Sequence, residues 1–438
     1  MNNIYLYQNN GEYVAFDKKS MSFYSIPRNL GDEISSLDSE EKEILFQKVF
    51  KQNDNIKIQT DDLVSAKKCK RLILVITQFC NLACKYCYAD AGTYGNQCKS
   101  KMTLDTAKNA INRMVEMFPN GISLIQFFGG EPLLNYTIIK DVCLYCEELV
   151  DKGILKEMPK FAVVSNGTIM NSNIINILNN YNINVTISLD GPKSINDNQR
   201  VFPNSNQSVY ENIMRNLDLL NSNRRFPLSI EITLTQSFIE LSETQKLMFL
   251  DLLTNKRVDS IHIVPVITNE DDELNIIDDS KLKKAVDLIT EYSLNSMASS
   301  NPMFIFKAVD FLSFVVSRHC KENFCTAGIS NFAIDTQGDI YGCFMLINPG
   351  KELCMGNVND DNFSREDFLK LSDQFRNVKY DNIDDCKDCV LKGFCSNCVA
   401  ASYNAYGSLE KPIHNSCVAQ LAMFEKIGYY MANNNIHK

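Results

Sequence analysis

Three closely spaced cysteines are the residues of this chain best suited to chemistry. Cys80, Cys84 and Cys87 are separated by three and by two residues. Thiolates are the usual ligands of iron–sulfur clusters. Three thiolates can hold three irons of a four-iron cluster and leave the fourth iron open to a small molecule. The alternative is a zinc knuckle, but a closed zinc site needs four ligands, and histidine is nearly absent nearby.

A second group of cysteines lies near the C-terminus. The chain has 16 cysteines, and in an intracellular protein of this size metal or redox chemistry explains them better than disulfides. The segment from Cys386 to Cys398 contains two CxxC pairs, so a zinc ribbon is the alternative here. The eight candidate ligands are Cys320, Cys325, Cys343, Cys386, Cys389, Cys395, Cys398 and Cys417. The cysteines predicted to be ordinary buried or half-buried thiols are Cys69, Cys98, Cys143, Cys146 and Cys354.

Short polar motifs follow three apolar runs and could bind a charged small molecule. Glycines let the backbone approach a ligand closely, a carboxylate suits an ammonium group, and an arginine suits a carboxylate. Each position taken alone could equally be a satisfied turn residue. The candidates are Gly129, Gly130, Glu131, Ser165, Asn166, Ser188, Asp190 and Arg200.

The elements that must position these residues alternate along the chain. Apolar, β-branched runs are each followed by a helical stretch, which is typical of a parallel sheet covered by helices. Six such units predict an α/β fold, a partial (β/α)6 TIM-like barrel, with a doubly wound open sheet as the alternative. The predicted strands are Leu72–Thr77, Ile122–Phe128, Phe161–Ser165, Val185–Leu189, Ser229–Leu234 and Ile261–Val266.

Smaller modules are expected on either side of the barrel. Three short strands and a helix over Ser39–Val49, with Ser39 as its N-cap, predict a small N-terminal module. After about residue 305 the helical periodicity weakens and cysteines become frequent, which indicates a segment stabilised by metal. We therefore predict a first domain over residues 1–66, the barrel over residues 67–305 and a third domain over residues 306–438.

Composition narrows the class of protein. The formal net charge is −9 and no dense basic run is present, so we expect no nucleic-acid partner. The N-terminus lacks the pattern of a secretory signal, and the apolar runs are too short to cross a bilayer. The sequence therefore predicts a cytoplasmic protein with no membrane partner.

The cysteine motif, with Tyr86 before its last cysteine, resembles that of the radical S-adenosylmethionine (SAM) superfamily. The resemblance implies that the open iron binds the methionine part of SAM, and that Glu131 and its glycines hold the amino group. It further implies that a serine of the strand-end motifs (Ser165 or Ser188) or a neighbouring group, together with Arg200, contacts the ribose and the carboxylate of SAM. The positions implied to bind the cofactor are Tyr86, Gly129, Gly130, Glu131, Ser165, Asn166, Ser188, Asp190 and Arg200.

The C-terminal cysteines resemble those of the SPASM domain, which binds two auxiliary four-iron clusters. The chain would thus carry three 4Fe-4S clusters. One departure is that Cys395 and Cys398 enclose two residues, where the family usually has three. By position, the first auxiliary cluster would be held by Cys320, Cys325, Cys343 and Cys398. The second would be held by Cys386, Cys389, Cys395 and Cys417.

Enzymes with this domain mostly modify peptides, and the N-terminal module resembles a winged-helix-like domain that recognises leader peptides. The resemblance implies a maturase that cleaves SAM reductively and uses the 5′-deoxyadenosyl radical to abstract a hydrogen from a ribosomally made precursor peptide. The product would be a thioether or carbon cross-link, and the electron donor a flavodoxin or ferredoxin. Phe344 stands where anaerobic sulfatase maturases carry a catalytic Asp, which argues against formylglycine formation.

Three other functions stay open at this point. One is a peptide epimerase, and another is a protein modifier like the anaerobic sulfatase maturases. A hypothesis from a different class is a metal-stapled peptide-binding protein without catalysis. The intact cysteine motif and the Gly-Gly-Glu sequence favour the enzyme.

Overall fold

A computed structural model describes residues 3–50, 59–60, 67–95, 100–268, 271–347, 349 and 351–434, with the backbone alone at 47 and 59–60. The predicted thiol at Cys98 lies outside these residues. Within these ranges, no helix combines the length and apolar character that crossing a bilayer requires.

The chain begins with a small sheet. Strands β1 (Ile4–Asn9), β2 (Glu12–Asp17) and β3 (Ser22–Ile26) form an antiparallel three-stranded sheet, as the sequence predicts. Helix α2 (Ser39–Val49) matches the predicted helix, whereas α1 (Arg28–Ser36) was not predicted. A two-residue strand, β4, follows at residues 59–60.

Asp38, and not the predicted Ser39, is the N-cap of α2. Its carboxylate accepts hydrogen bonds from the backbone N–H groups of Glu40 and Glu41, and the Glu41 side chain accepts one from the Asp38 backbone in return. This reciprocal capping box satisfies N–H groups that have no partner within the helix. An Asp with Glu three residues later was the signal in the sequence.

Six parallel strands form the centre of the molecule and confirm the predicted barrel. Neighbouring strands along the chain are also neighbours in the sheet, with no reversal of order. A doubly wound sheet would instead reverse its order at a switch point. The strands are β5 (Arg71–Thr77), β6 (Leu124–Gly129), β7 (Lys160–Ser165), β8 (Asn184–Ser188), β9 (Leu228–Leu234) and β10 (Ser260–Pro265).

Helices connect these strands and cover one face of the sheet. Their apolar stripes bury residues such as Ile111 on α3 and Leu217 on α7, which stabilises the sheet by removing apolar area from water. The helices are α3 (Leu104–Met117), α4 (Tyr136–Asp151), α5 (Ser172–Asn180), α6 (Lys193–Gln199), α7 (Val209–Asn223), α8 (Gln236–Ile239), α9 (Glu243–Asn255) and α10 (Asp279–Ser296).

Further strands extend the barrel sheet at both edges, and those beside β5 come from the C-terminal segment. Strand β11 (Phe304–Ile305) pairs with β10, while β13 (Asn331–Ile334) pairs with β5 and carries β14 (Ile340–Tyr341). The nine-stranded sheet thus contains strands from beyond residue 305, which the sequence did not predict. Strand β12 (His319–Cys320) pairs with β4. The remaining helices are α11 (Phe306–Ser317), α12 (Arg365–Arg376), α13 (Asp384–Lys387), α14 (Val399–Tyr406) and α15 (His414–Asn433).

Helix α15 joins the three parts of the chain. The Phe424 ring contacts those of Phe16 and Phe23 in the N-terminal sheet, both with centroids 5.1 Å away, and that of Phe311 on α11 at 5.9 Å. Glu425 accepts a hydrogen bond of 2.6 Å from the Tyr5 hydroxyl of β1 and forms an ion pair with a lysine of α10. The N-terminal sheet is therefore fixed against the rest of the molecule.

Candidate functional site

The loop that carries the three cysteines leaves the carboxyl end of β5. Cys80, Cys84 and Cys87 are free thiols and are half-buried. The backbone N–H of Leu82 donates to Cys80 Sγ at 3.4 Å, so a sulfur in this loop already accepts a hydrogen bond. Hydrogen bonds of this kind favour the thiolate form of a cysteine.

The end of β7 holds the cysteine loop in place. Asn166 Nδ2 donates to Cys80 Sγ at 3.6 Å and to Asn81 Oδ1 at 2.9 Å. Thr168 completes the contact, because its hydroxyl accepts a 2.9 Å bond from Asn81 Nδ2 and donates to Asn166 Oδ1 at 2.6 Å. Asn81 and Thr168 were not among the sequence-predicted site residues, although Asn81 follows Cys80 and Thr168 lies two residues after Asn166.

Glu131 is fully buried and is bound by protein groups. Its carboxylate accepts hydrogen bonds from the backbone N–H of Leu133 at 2.9 Å, from Ser165 Oγ at 2.9 Å and from the backbone N–H of Asn166 at 2.7 Å. Burial raises the pKa of Glu131 to about 7, against the lowering effect of these donors. In this structure the carboxylate thus links the ends of β6 and β7.

The two glycines before Glu131 lie directly against the cysteine loop. Gly129 has a φ of +141°, and a Cβ atom there would overlap the carbonyl oxygen of Thr77. A Cβ atom on Gly130 would overlap the carbonyl of Phe79 and lie 2.8 Å from the backbone nitrogen of Cys80. These contacts involve backbone atoms that cannot rotate away, so only glycine allows this approach.

A buried polar triad stands at the end of β8. The Tyr86 hydroxyl, which belongs to the cysteine loop, donates to Asp190 Oδ2 and accepts a 2.7 Å bond from Arg200 Nη1. Arg200 Nη1 also lies 3.8 Å from Asp190 Oδ2. Burial raises the pKa of Asp190, and Arg200 partly offsets this by favouring the carboxylate. Among the described residues, Arg200 Nε is buried with no hydrogen-bond partner, so the guanidinium retains a free donor for a ligand.

Ser188 lies beside this triad on β8 and is half-buried. It pairs in register with Glu231 of β9. The structure therefore brings the predicted residues of four successive strand ends to one side of the barrel. Glu231 was not predicted from the sequence, where only the polar alternation within a strand would have indicated it.

The C-terminal thiols fall into two groups. Burial raises the pKa of Cys325 to about 11, and Cys398 adds to the rise. Burial, Cys398 and Cys325 likewise raise the pKa of Cys343. Cys325, Cys343 and Cys398, the first group, therefore lie near enough to influence one another, and their role as ligands of the first auxiliary cluster stays a prediction.

The second group contains four of the five remaining predicted ligands, Cys386, Cys389, Cys395 and Cys417. Burial raises the pKa of Cys417 to about 12, and Cys395, Cys386 and Cys389 contribute in that order. Cys389 Sγ accepts a 3.4 Å hydrogen bond from the backbone N–H two residues later, the same arrangement as at Cys80. Sulfurs that already accept N–H bonds suit ligation by iron.

Cys320 stands apart from both groups. Burial alone raises its pKa, and a Cβ atom on Gly393 would lie 2.9 Å from its sulfur. Cys320 and Cys389 both line a cleft of about 780 Å³ between the N-terminal sheet and the C-terminal segment. The role of Cys320 as a ligand stays a prediction.

The described cysteines outside the predicted ligand sets are buried or half-buried. Cys69, Cys143 and Cys146 have no exposed surface, which agrees with their interpretation as packing residues. Cys354 is half-buried, and its thiol donates to the carbonyl of Gly356 at 3.5 Å. Over the described part of the chain, no three Cys, His, Asp or Glu side chains gather as ligands of one metal ion. A four-iron cluster differs from such a site because each thiolate binds a different iron.

Comparison with known families and relatives identifies this arrangement. Residues 74–235 match the family model described as the radical SAM superfamily. An uncharacterized protein of Methanocaldococcus jannaschii is 29% identical over 67% of this chain and 90% of its own length. The radical SAM cyclopropyl synthase TigE of Paramaledivibacter caminithermalis is 25% identical over 79% of this chain and 71% of its own.

The same fold occurs in a solved structure, native anSMEcpe with bound AdoMet and Kp18Cys peptide. It superposes with a TM-score of 0.67 at 17% identity, covering 84% of this chain and 99% of that one. The matched superfamily region begins within β5 and ends just after β9, so it contains the cysteine loop and the strand ends that hold it. Motif, strand order and relatives agree: residues 74–235 match the radical SAM superfamily, and the chain is similar to radical SAM enzymes of the maturase kind.

Proposed function

We propose that this enzyme matures a ribosomally made peptide by closing an oxidative cross-link, a thioether or a carbon cross-link. The observation that carries the proposal is the combination of one cysteine loop at the barrel mouth with two further groups of thiols in the C-terminal segment. The first suits SAM cleavage, and the second suits the removal of an electron when a bond closes. The Kp18Cys peptide bound to the structural relative supports a peptide substrate.

The residues present fit SAM and its cluster. Cys80, Cys84 and Cys87 would ligate three irons, and Cys80 already accepts N–H bonds. The free Nε of the buried Arg200 would bind a carboxylate or hydroxyl group. When bound, SAM supplies a 5′-deoxyadenosyl radical that removes a hydrogen atom from the substrate. Glu131, occupied by three protein donors, would act mainly by holding Ser165 and Asn166 in position.

The C-terminal thiols would hold two auxiliary 4Fe-4S clusters. The first would be bound by Cys325, Cys343 and Cys398, with Cys320 as its predicted fourth ligand. The second would be bound by Cys386, Cys389, Cys395 and Cys417. Their role would be to accept the electron released on bond formation, and a flavodoxin or ferredoxin would supply electrons for SAM cleavage.

The N-terminal sheet would bind the leader of the precursor peptide. One face of this sheet packs against α1 and α2 around Ile34 and Phe46, and the other packs against Phe424 of α15. Both faces are therefore occupied, and β1 and β3 are its edge strands. A leader would add to an edge as a further strand, which uses main-chain hydrogen bonds.

The aromatic rings around Phe344 favour a cross-linking reaction over formylglycine formation. The Phe344 ring lies 4.1 Å from that of Phe128 on β6 and 6.0 Å from that of Tyr88. Phe344 follows Cys343 directly, so an apolar ring occupies the place where the sulfatase maturases carry an acid.

Anaerobic co-expression with the short reading frame next to the gene tests the proposal. We expect the peptide to lose two hydrogens for each modified site, measured by mass spectrometry, with fragmentation locating the cross-link. A Cys80→Ala variant serves as the control. An unchanged mass with uptake of solvent deuterium would indicate an epimerase instead. An unchanged mass without deuterium, for a peptide that binds the enzyme, would overturn the maturase proposal.

A further inference from the structure

Strands β9 and β10 present a polar wall to the barrel interior. On β9, Ile230 and Ile232 are fully buried against the helices, while Ser229, Glu231 and Thr233 alternate with them and are half-buried. Strand β10 repeats this pattern, and Ser229 Oγ lies 2.7 Å from Ser260 Oγ across the two strands. Alternate residues of a strand share a face, so these polar groups face the space enclosed by the barrel.

Glu231 is the acidic member of this wall and lies next to the candidate site. It is paired in register with Ser188, and its carbonyl accepts a 2.9 Å hydrogen bond from the backbone N–H of Leu189. Asp190, which follows Leu189 in the chain, belongs to the buried triad. Burial raises the pKa of Glu231, Arg200 lowers it, and Asp190 raises it further. Its carboxylate is therefore a better proton acceptor than an exposed glutamate.

The other titratable groups on this side of the barrel, Lys307 and His262, are basic or neutral. Lys307, at the start of α11, lowers the pKa of Glu231. His262 of β10 stacks on Phe306 with ring centroids 4.7 Å apart, and burial, with Lys307 and Arg71, lowers its pKa to about 4. A histidine with so low a pKa is neutral at physiological pH but is a weak base. Glu231 is therefore the group in this wall best suited to accept a proton.

The proposed reaction needs such a group. Joining a substrate carbon to a sulfur converts C–H and S–H into C–S, and two protons and two electrons leave. One proton and one electron leave together as the hydrogen atom removed from carbon. One electron would pass to an oxidised iron–sulfur cluster, which the C-terminal cysteines would hold. One proton remains, and a base must take it from the sulfur as the C–S bond forms.

We propose that Glu231 is the proton acceptor for the peptide substrate, receiving the thiol proton during bond closure. This inference rests on the proposed maturase function. Ser229 and Ser260, hydrogen-bonded to each other on the same wall, would line the path of the substrate side chain. The carboxylate would pass the proton to solvent through the open side of the barrel, because Glu231 is half-buried and not sealed.

The test compares Glu231→Gln and Glu231→Asp with the wild-type enzyme, on a peptide that the wild type modifies and that carries deuterium at the reactive carbon. Deuterated 5′-deoxyadenosine reports hydrogen removal, and cross-linked peptide reports bond closure. For Glu231→Gln we expect deuterium transfer to stay within about threefold of wild type, and cross-linked product to fall roughly 100-fold, the usual scale for a lost general base. Glu231→Asp should recover part of the product.

The pH profile separates a proton acceptor from a structural role. Wild-type product formation should decrease on the acid side as Glu231 becomes protonated, and Glu231→Gln should lose that dependence. Glu243→Gln, at an exposed glutamate of α9, is the control and should behave as wild type. Equal product and an unchanged profile in Glu231→Gln would overturn the inference, as would parallel loss of deuterium transfer. Failure of the wild type to modify any peptide would instead overturn the proposed function.

Discussion

The cysteine loop at β5 and the C-terminal cysteine segment are built in different ways. The loop places three thiols within eight residues of sequence, and side chains from the ends of β7 and β8 hold it. The C-terminal thiols extend from Cys325 to Cys417, between short strands and helices. Thus the large barrel core positions the loop, whereas we expect the C-terminal segment to depend more on what its cysteines bind.

Both regions nevertheless share one local feature. At Cys80 and at Cys389 the sulfur accepts a hydrogen bond from the backbone N–H two residues later, at 3.4 Å in each case. A short cysteine turn therefore forms the same N–H···S contact in either setting. The two turns differ in their surroundings, because the barrel strands hold the first and short elements hold the second.

The largest effect is expected from removing the cysteine loop's ligands. Changing Cys80, Cys84 and Cys87 to Ala should reduce 5′-deoxyadenosine formation at least ~1000-fold, because positioning and activation of the cofactor are lost together. Iron content should fall by about four per chain, the content of one cluster, while the C-terminal iron stays. Cys354→Ala is the control. Retained cofactor cleavage would show that the open cluster lies elsewhere.

The glycine beside the loop should matter almost as much. Gly130→Ala forces the Phe79–Cys80 backbone to move, and a misplacement near 1 Å costs roughly 100-fold in rate. We expect that loss in 5′-deoxyadenosine formation with C-terminal iron unchanged. Gly153→Ala meets no atom within 4 Å, so its cost is limited to the backbone strain of a φ of +69°, and it should retain activity. Wild-type rates in Gly130→Ala would mean that the loop tolerates displacement.

Loss of cysteines from the C-terminal segment should lower the stability of that segment. Changing Cys386 and Cys389 to Ala should make this segment at least ~10-fold more sensitive to limited proteolysis, because metal binding there is coupled to folding and cleavage follows the open population. The barrel should stay resistant. The triple Ala variant of the cysteine loop provides the comparison, since its C-terminal segment should resist as in wild type. Equal resistance in both variants would show that the segment folds without metal.

The smallest effect is expected at Cys320, the predicted ligand that lies outside the two groups of thiols. Cys343→Ala should lose most of the iron of one cluster, about four per chain, because Cys343 lies in the first group of thiols. Cys320→Ala should lose less, since Cys320 faces the cleft with Cys389. Iron analysis of both purified proteins measures the difference. Equal losses would establish Cys320 as a full ligand of the first auxiliary cluster.

The sequence by itself determined the barrel and the cysteine loop. Apolar runs alternating with helices fixed six parallel strands to within two residues at each end, because both patterns are local. The spacing of Cys80, Cys84 and Cys87 is also local, and so are the polar motifs after β6, β7 and β8.

Only the tertiary structure decided which residues meet across elements. It turned the Glu131 carboxylate toward Ser165 and Asn166, added β13 to the barrel sheet beside β5, and set Cys320 against Gly393. It also aimed Glu231 into the barrel interior beside Arg200. Such contacts join residues that are distant in sequence, and they depend on how sheet and helices pack, which no local spacing records.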